Sequence, residues 1–310
     1  MIGIPEAFEP WLESKEGVAM RFSYAESMVE PSFYSELAMT AEAAGFDSMV
    51  IPDSICYPFE SDSVYPFNPD GTREFLDGKP FIEPFCLIPA LAAVTTTLRF
   101  VTFVVKLPIR PPVLAAKQMT SVAVLSNNRL VFGVGTSPWR EDYDALEVPW
   151  ERRGKRMDES MAILQGLMTG EYFEFHGEFY DIPSLKLSPV PTKPVPLMIG
   201  GHGELALKRA AAMGDGWLHG GGEHDDLPAM IKRLGELRKE YGTENKPFEI
   251  HVISLDAYSL DGIKRLEEMG VTDVIVGFRY PYTEGPDTEP LSTKLDALKG
   301  YSDQIIDKLR

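Results

Sequence analysis

Cysteine is nearly absent. Only Cys56 and Cys86 occur in 310 residues, and their separation fits neither a disulfide framework nor a zinc knuckle. The expected setting is the reducing cytoplasm. Positive charge is also short: 30 Lys and Arg stand against 47 Asp and Glu, for a formal net charge of -17. Such a field repels polyphosphate backbones and excludes nucleic acid from the expected partners. It does not exclude a small anionic cofactor, because one helix N-terminus can hold a phosphate against an adverse average charge. No apolar run approaches the ~20 residues that cross a bilayer, and Met1 to Gly17 lacks the basic start and apolar stretch of an export signal. The 5 histidines fall into no HExxH-like set, so no metal is expected. No solenoid repeat and no low-complexity tail appear.

What the chain does have is rhythm. With 44% hydrophobic and 25% charged residues, it can build one large core. Short apolar runs alternate with amphipathic stretches, the pattern of βα units around a parallel sheet. Strands are expected at Met20 to Ala25, Ser48 to Pro52, Arg99 to Lys106, Arg129 to Gly135, Pro196 to Ile199, Gly216 to His219, Phe248 to Leu255 and Asp273 to Phe278. Helices are expected at Pro31 to Ala44, Pro84 to Thr95, Pro112 to Leu125, Glu151 to Met168, Glu204 to Met213, Leu227 to Tyr241, Leu260 to Met269 and near Leu291 to Leu309. About eight units make a closed α/β barrel, the (β/α)8 fold. Residues 1–19 read as an N-terminal arm and 20–310 as the barrel. Two segments break the rhythm. Asp53 to Pro84, after strand 2, is far longer than a usual βα connection; its Tyr57, Phe59, Tyr65, Phe67, Phe75 and Phe81 suggest a packed lid. Glu171 to Pro194, after helix 4, reads as a hairpin excursion.

Glycines mark the expected mouth of the barrel. Gly133, Gly135 and Thr136 are placed at one strand end and Gly200, Gly201 and Gly203 at the next, just before a helix. Missing side chains there let amides approach a ligand, and the helix N-terminus offers free N–H groups to an anion. The alternative is that these glycines only make tight βα turns.

Several strings, in this order, resemble the luciferase-like monooxygenase superfamily, nearest its coenzyme F420-dependent branch. They are AEAAGFDSMVIPD (Ala41 to Asp53), LRFVTFVVKLPIRPPVLAAKQM (Leu98 to Met119), LSNNRLVFGVGTSPW (Leu125 to Trp139), RRGKRMDESMAILQGLMTG (Arg152 to Gly170), the hairpin FHGEFYDIP, and PVPLMIGGHGELALKRAAAMGDGW (Pro194 to Trp217). The likeness runs from about Met20 to Trp217. It implies an oxidoreductase that passes a hydride between F420 and a small organic substrate. The alternatives are an FMN-dependent monooxygenase on the same barrel and a non-catalytic flavin-binding barrel. It also implies a homodimer, a phosphate loop at Gly200, Gly201, His202 and Gly203 completed by Gly220 and Gly221, and a cis-peptide bulge behind the cofactor ring at Phe103–Val104. The chain departs from the family's glucose-6-phosphate dehydrogenase pattern in three places. Glu223 stands for a phosphate-binding Lys, Ser54 for a catalytic His and Pro138 for a Glu. Glu26 matches the acidic residue of the first strand.

Hydride transfer needs a dry pocket and near contact more than acid–base machinery. Glu26 and Asp53 are the candidate polar groups, one to orient substrate and one to exchange a proton, with Ser54 as a hydrogen-bonding substitute for the lost His. Asp53 can equally be a turn residue. Tyr24, Tyr57 and Trp139 are candidate pocket walls, with packing as the competing role. His219 and His224 sit near the expected phosphate loop, and His251 reads as a satisfied barrel residue. The aromatic lid favours an apolar or conjugated acceptor over a sugar phosphate.

Overall fold

The computed structural model describes residues 19–65, 71–222, 226–279 and 284–310. Most of the N-terminal arm, Phe67, Glu223 and His224 lie outside the described residues. The chain enters β1 (Arg21–Ala25), crosses through a 3₁₀ turn at Pro31–Phe33 and α1 (Tyr34–Ala43), and returns in β2 (Ser48–Ile51). After the long loop come α2 (Pro84–Ala92), β3 (Arg99–Thr102), β4 (Val105–Lys106), α3 (Pro112–Leu125) and β5 (Leu130–Gly135). A short α4 (Arg140–Ala145) precedes α5 (Arg153–Leu167), and the hairpin is β6 (Phe173–His176) with β7 (Asp181–Leu185). The last half holds β8 (Leu197–Gly200), α6 (Glu204–Met213), β9 (Gly216–His219), α7 (Leu227–Tyr241), β10 (Glu249–Ile253), α8 (Leu260–Glu268), β11 (Asp273–Val276), α9 (Leu291–Tyr301) and a closing turn, α10 (Asp307–Leu309).

The sheet is a closed ring. Parallel neighbours run β3, β2, β1, β11, β10, β9, β8, β5, and β5 pairs back onto β3 through Phe100↔Leu130 and Val101↔Val131. With β4 continuing the line of β3, this is an eight-stranded parallel barrel wrapped in helices, as the βα rhythm predicts. The one helix missed in the sequence, α4, lies in the expected Thr136 to Trp150 loop. The expected strand Arg99 to Lys106 is interrupted where the Phe103–Val104 peptide bond is cis.

Alternation along the strands divides the core in two. Val50, Val101, Val131, Met198, Leu218 and Ile275 fill the barrel. Their neighbours, among them Phe22, Tyr24, Met49, Phe100, Phe132 and Trp217, face the helices in a much larger layer. Period-two side-chain geometry makes the two sets mutually exclusive. Gly133, expected at a strand end, sits inside β5, where an added Cβ would lie 2.0 Å from the Thr102 carbonyl oxygen and 2.5 Å from Leu218 Cδ1. Its role is closure of β5 on β3, not ligand contact.

Candidate active site

The C-terminal ends of the strands gather the glycines. The bulge at Phe103–Val104 projects the Val104 side chain across the top of β5 and β8. A Cβ at Gly135 would come within 2.6 Å of Val104 Cγ2, and one at Gly200 within 2.7 Å of Val104 Cγ1. Both glycines therefore make room for the bulge, a reason for them that neither sequence reading contained. Beyond Gly200 the chain turns through Gly201, at φ +122°, which L side chains rarely adopt. It then enters α6 with Gly203 at the N-cap and no side chain capping the helix. Nothing lies within 4 Å of a Cβ built at Gly203. Glu204 is drawn aside, Oε1 lying 2.8 Å from Arg233 Nη2 and 3.3 Å from Lys208 Nζ. An open, uncapped N-terminus beside the bulge is a cradle that fits an anion.

Gly220 and Gly221 follow β9 at the same rim. Their amides point at imidazoles: Gly220 donates to His202 Nε2 at 2.9 Å and Gly221 to His219 Nδ1 at 3.3 Å. The two rings stack, centroids 4.4 Å apart and 13° from parallel, and Trp217 Nε1 donates to the Gly201 carbonyl at 2.8 Å. Sequence spacing does not reveal that neighbouring rings supply acceptors for these N–H groups. The Thr136 carbonyl accepts from the Tyr143 hydroxyl, tying the β5 end to α4.

The three candidate catalytic residues have three different surroundings. Glu26 is buried just past β1 and is not alone. Tyr24 donates its hydroxyl to Glu26 Oε2 at 2.9 Å, Arg279 Nε lies 3.1 Å from Oε1, and Lys294 Nζ stands 4.0 Å from Oε2. Burial pushes its carboxyl above the ordinary range, although Arg279, Lys294 and the Tyr24 hydroxyl pull the other way. Asp53 is fixed: Arg110 grips both its oxygens, at 2.8 and 2.9 Å, and the Lys106 amide donates to Oδ2 at 2.9 Å. These three bonds tie Asp53 to β4 and to Arg110. Ser54, one residue on, lines a cavity of about 220 Å³.

That cavity lies under the long loop. Tyr57, Phe81 and Trp139 line it, so two of the three expected pocket aromatics meet there. Tyr24 does not: its ring is fully buried in the layer between barrel and helices, against Phe46 and Phe278. The lid is partly packed, with Tyr65 stacked on Trp139 at 5.6 Å and Phe75 buried, whereas Phe59 is 97% exposed. Sequence reasoning missed the charged residues of this region. Asp142 on the cavity wall is paired with buried Lys106 Nζ at 2.6 Å and accepts from Ser137 Oγ at 2.8 Å. Arg73 sits with Tyr57 and Trp139. A larger hollow, about 500 Å³, lies between α1 and the C-terminal helices and has no strand end on its wall.

At the opposite end of the barrel Glu249, His251 and Asp273 converge. His251 Nε2 is 2.8 Å from Glu249 and 3.1 Å from Asp273, while Arg21 reaches Asp273 at 2.6 Å and Glu249 at 2.9 Å. Arg99 adds a contact to Glu249 at 3.2 Å. Arginines already neutralise both carboxylates, so the grouping is an ion-pair cluster rather than a cation cage.

The model of a family described as luciferase-like monooxygenase matches residues 17–271. An uncharacterized protein of Mycobacterium tuberculosis is 62% identical over 290 residues, spanning 94% of this chain and 100% of its own length. An F420-dependent glucose-6-phosphate dehydrogenase of Nakamurella multipartita is 30% identical over 214 residues, 67% of this chain and 58% of that protein. Among solved structures, the coenzyme F420-dependent tetrahydromethanopterin reductase of Methanopyrus kandleri superposes with a TM-score of 0.69 at 15% identity, covering 94% of this chain and 99% of that one. At that identity the last comparison speaks for the fold.

Proposed function

The chain belongs to the luciferase-like monooxygenase family and is an enzyme of that family; we propose that it is an F420-dependent oxidoreductase, moving a hydride between the deazaflavin and a small organic acceptor or donor. The observation that carries this reading is the pairing of the Phe103–Val104 bulge with the uncapped, glycine-lined start of α6. The first offers a backing for a flat ring and the second a cradle for its phosphate. The F420 dependence of the Nakamurella relative supports the same cofactor. When bound, F420 supplies a two-electron hydride carrier.

The chain's own residues then do the remaining work. Gly201, His202 and Gly203 hold the phosphate, while Thr136, Phe103 and Val104 support the ring. Tyr57, Trp139 and Ser54 hold the partner molecule in a cavity screened from water by the lid. Glu26 does not line that cavity; its carboxyl, raised by burial and bonded by Tyr24 and Arg279, is the candidate to relay a proton rather than to touch the substrate. Asp53 is a positioning residue, acting through Arg110 and β4. The family description favours a second reading, oxygenation, for which FMN is the alternative cofactor. Reduced flavin reacts readily with oxygen and reduced deazaflavin poorly, so oxygen uptake with each reduced cofactor separates the two. Our reading expects anaerobic bleaching or recovery of F420 absorption with substrate and no rapid oxygen consumption. Rapid, FMN-dependent uptake would replace it with the second.

A further inference from the structure

Among the described residues Arg73 makes no direct ion pair, although the charge of Glu141 lies nearby. Its residue is only 8% exposed, yet among the described residues its guanidinium makes one side-chain hydrogen bond, from Nη2 to the Pro58 carbonyl at a long 3.4 Å. The remainder of its contact is with π faces: its Cζ lies 4.8 Å from the Tyr57 ring centroid and 5.8 Å from that of Trp139. Its guanidinium offers five N–H donors in a fixed fork, of which the described residues engage one. The residue lines the cavity that also holds Ser54, Tyr57 and Trp139.

Three carboxylates lie nearby, and Glu74 Oε2 accepts from the Arg73 backbone amide at 2.9 Å. Asp142 is held by Lys106 at 2.6 Å and Ser137 at 2.8 Å. Glu141 Oε2 accepts from Ser63 Oγ at 2.8 Å. Burial would raise the Glu141 carboxyl, but hydrogen bonds from Ser61 and Ser63 and the nearby charge of Arg73 hold it low. It is therefore ionised and neighbours Arg73 without a direct ion pair among the described residues. The rest of the wall is mixed: Tyr57, Phe81 and Trp139 give it an aromatic share, and Lys79 adds a second cation.

We propose that Arg73 determines specificity in this enzyme by receiving the carboxylate of a planar, conjugated substrate whose body lies against Tyr57 and Trp139. A carboxylate matches the guanidinium fork with two parallel bonds, and the flat rings match a conjugated body. The inference rests on reading the cavity as the substrate site, and it deepens that reading by naming a substrate class.

The test is calorimetric titration of the full chain, alone and with F420 present, using trans-cinnamate and its neutral counterpart cinnamamide. Cinnamate should bind at least about tenfold more tightly than the amide. Arg73→Met should abolish that preference and Arg73→Lys should keep part of it, with the melting temperature and the F420 Kd unchanged in both. Equal affinity of the two probes, failure of both to bind at millimolar concentration, or a preference that survives Arg73→Met would overturn the proposal. Because the probes are compared within the wild type, it stands or falls even if a variant does not fold. Loss of F420 binding with the carboxylate preference intact would count against the cofactor assignment and leave this proposal standing.

Discussion

The two ends of the barrel both bury charge, and they use it in opposite ways. At the N-terminal end Arg21, Arg99, Glu249, His251 and Asp273 form a cluster in which every carboxylate has a cation. At the C-terminal end some pairs are equally closed, such as Asp53 with Arg110, but Arg73 and the start of α6 present donors with little or nothing on them. Closed networks rigidify, whereas donors at a rim with little bonded to them are available to a ligand. The contrast assigns stability to one end and recognition to the other.

The largest effect should come from breaking the closed end. Asp273→Asn removes one of the two carboxylates that Arg21 and His251 share, at a fully buried position, and leaves Glu249 as their remaining partner. Removing one member of a buried ion-pair cluster costs about 3 kcal/mol or more, readable as a lower urea midpoint, and the F420 Kd of the folded fraction should not move. Next in size is the bulge. Gly135→Ala and Gly200→Ala drive a methyl to within 2.6 and 2.7 Å of Val104. Overpacking should cost about 1–3 kcal/mol and, unlike the change at Asp273, should weaken F420 binding measurably. A stability loss with unchanged Kd would separate the bulge from the cofactor.

Much of the frame, and less of the site, was legible in the sequence. Local periodicity and turn residues located the strands and most helices, since each is written in consecutive residues. The glycines of the rim were visible for the same reason. Partnerships across the ring were not. Glu26 meets Arg279 and Lys294 from the far end of the chain, and Asp53 meets Arg110 across 57 positions. Parity along β1 puts Tyr24 on the helix side, but only the closed barrel shows that the cavity lies elsewhere. The imidazoles that take up the Gly220 and Gly221 amides are likewise a product of packing. Arg73 gave a faint signal, as one of two basic residues, with Lys79, in an aromatic and acidic loop.

A pH series sharpens the closed end further. Burial opposes charge on His251, but Asp273 and Glu249 outweigh it and raise its pKa above 6.5. A raised folded-state pKa gives stability that is whole below the unfolded value and is lost as pH rises through the folded one. The stability gap between wild type and His251→Gln should therefore be widest below neutrality and narrow in alkaline buffer, as followed by denaturant midpoints. Glu249, held down at about 2, gives the opposite dependence, losing its contribution only as strong acid is approached. A gap that widens with alkali would contradict the cluster's charge assignment.

The smallest stability effect belongs to the open end. Gly203→Asp places a good N-cap where a Cβ meets nothing within 4 Å, so stability should hold or rise by a few tenths of a kcal/mol. The same carboxylate occupies the anion cradle, and F420 should bind about tenfold more weakly. Thermal unfolding and cofactor titration on one preparation read both.

The most direct measurement is titration of the wild-type chain with F420 and with FMN, followed by their visible absorption. The account predicts saturable F420 binding well below millimolar and tighter than that of FMN. Tight FMN binding with F420 weaker than millimolar would contradict it.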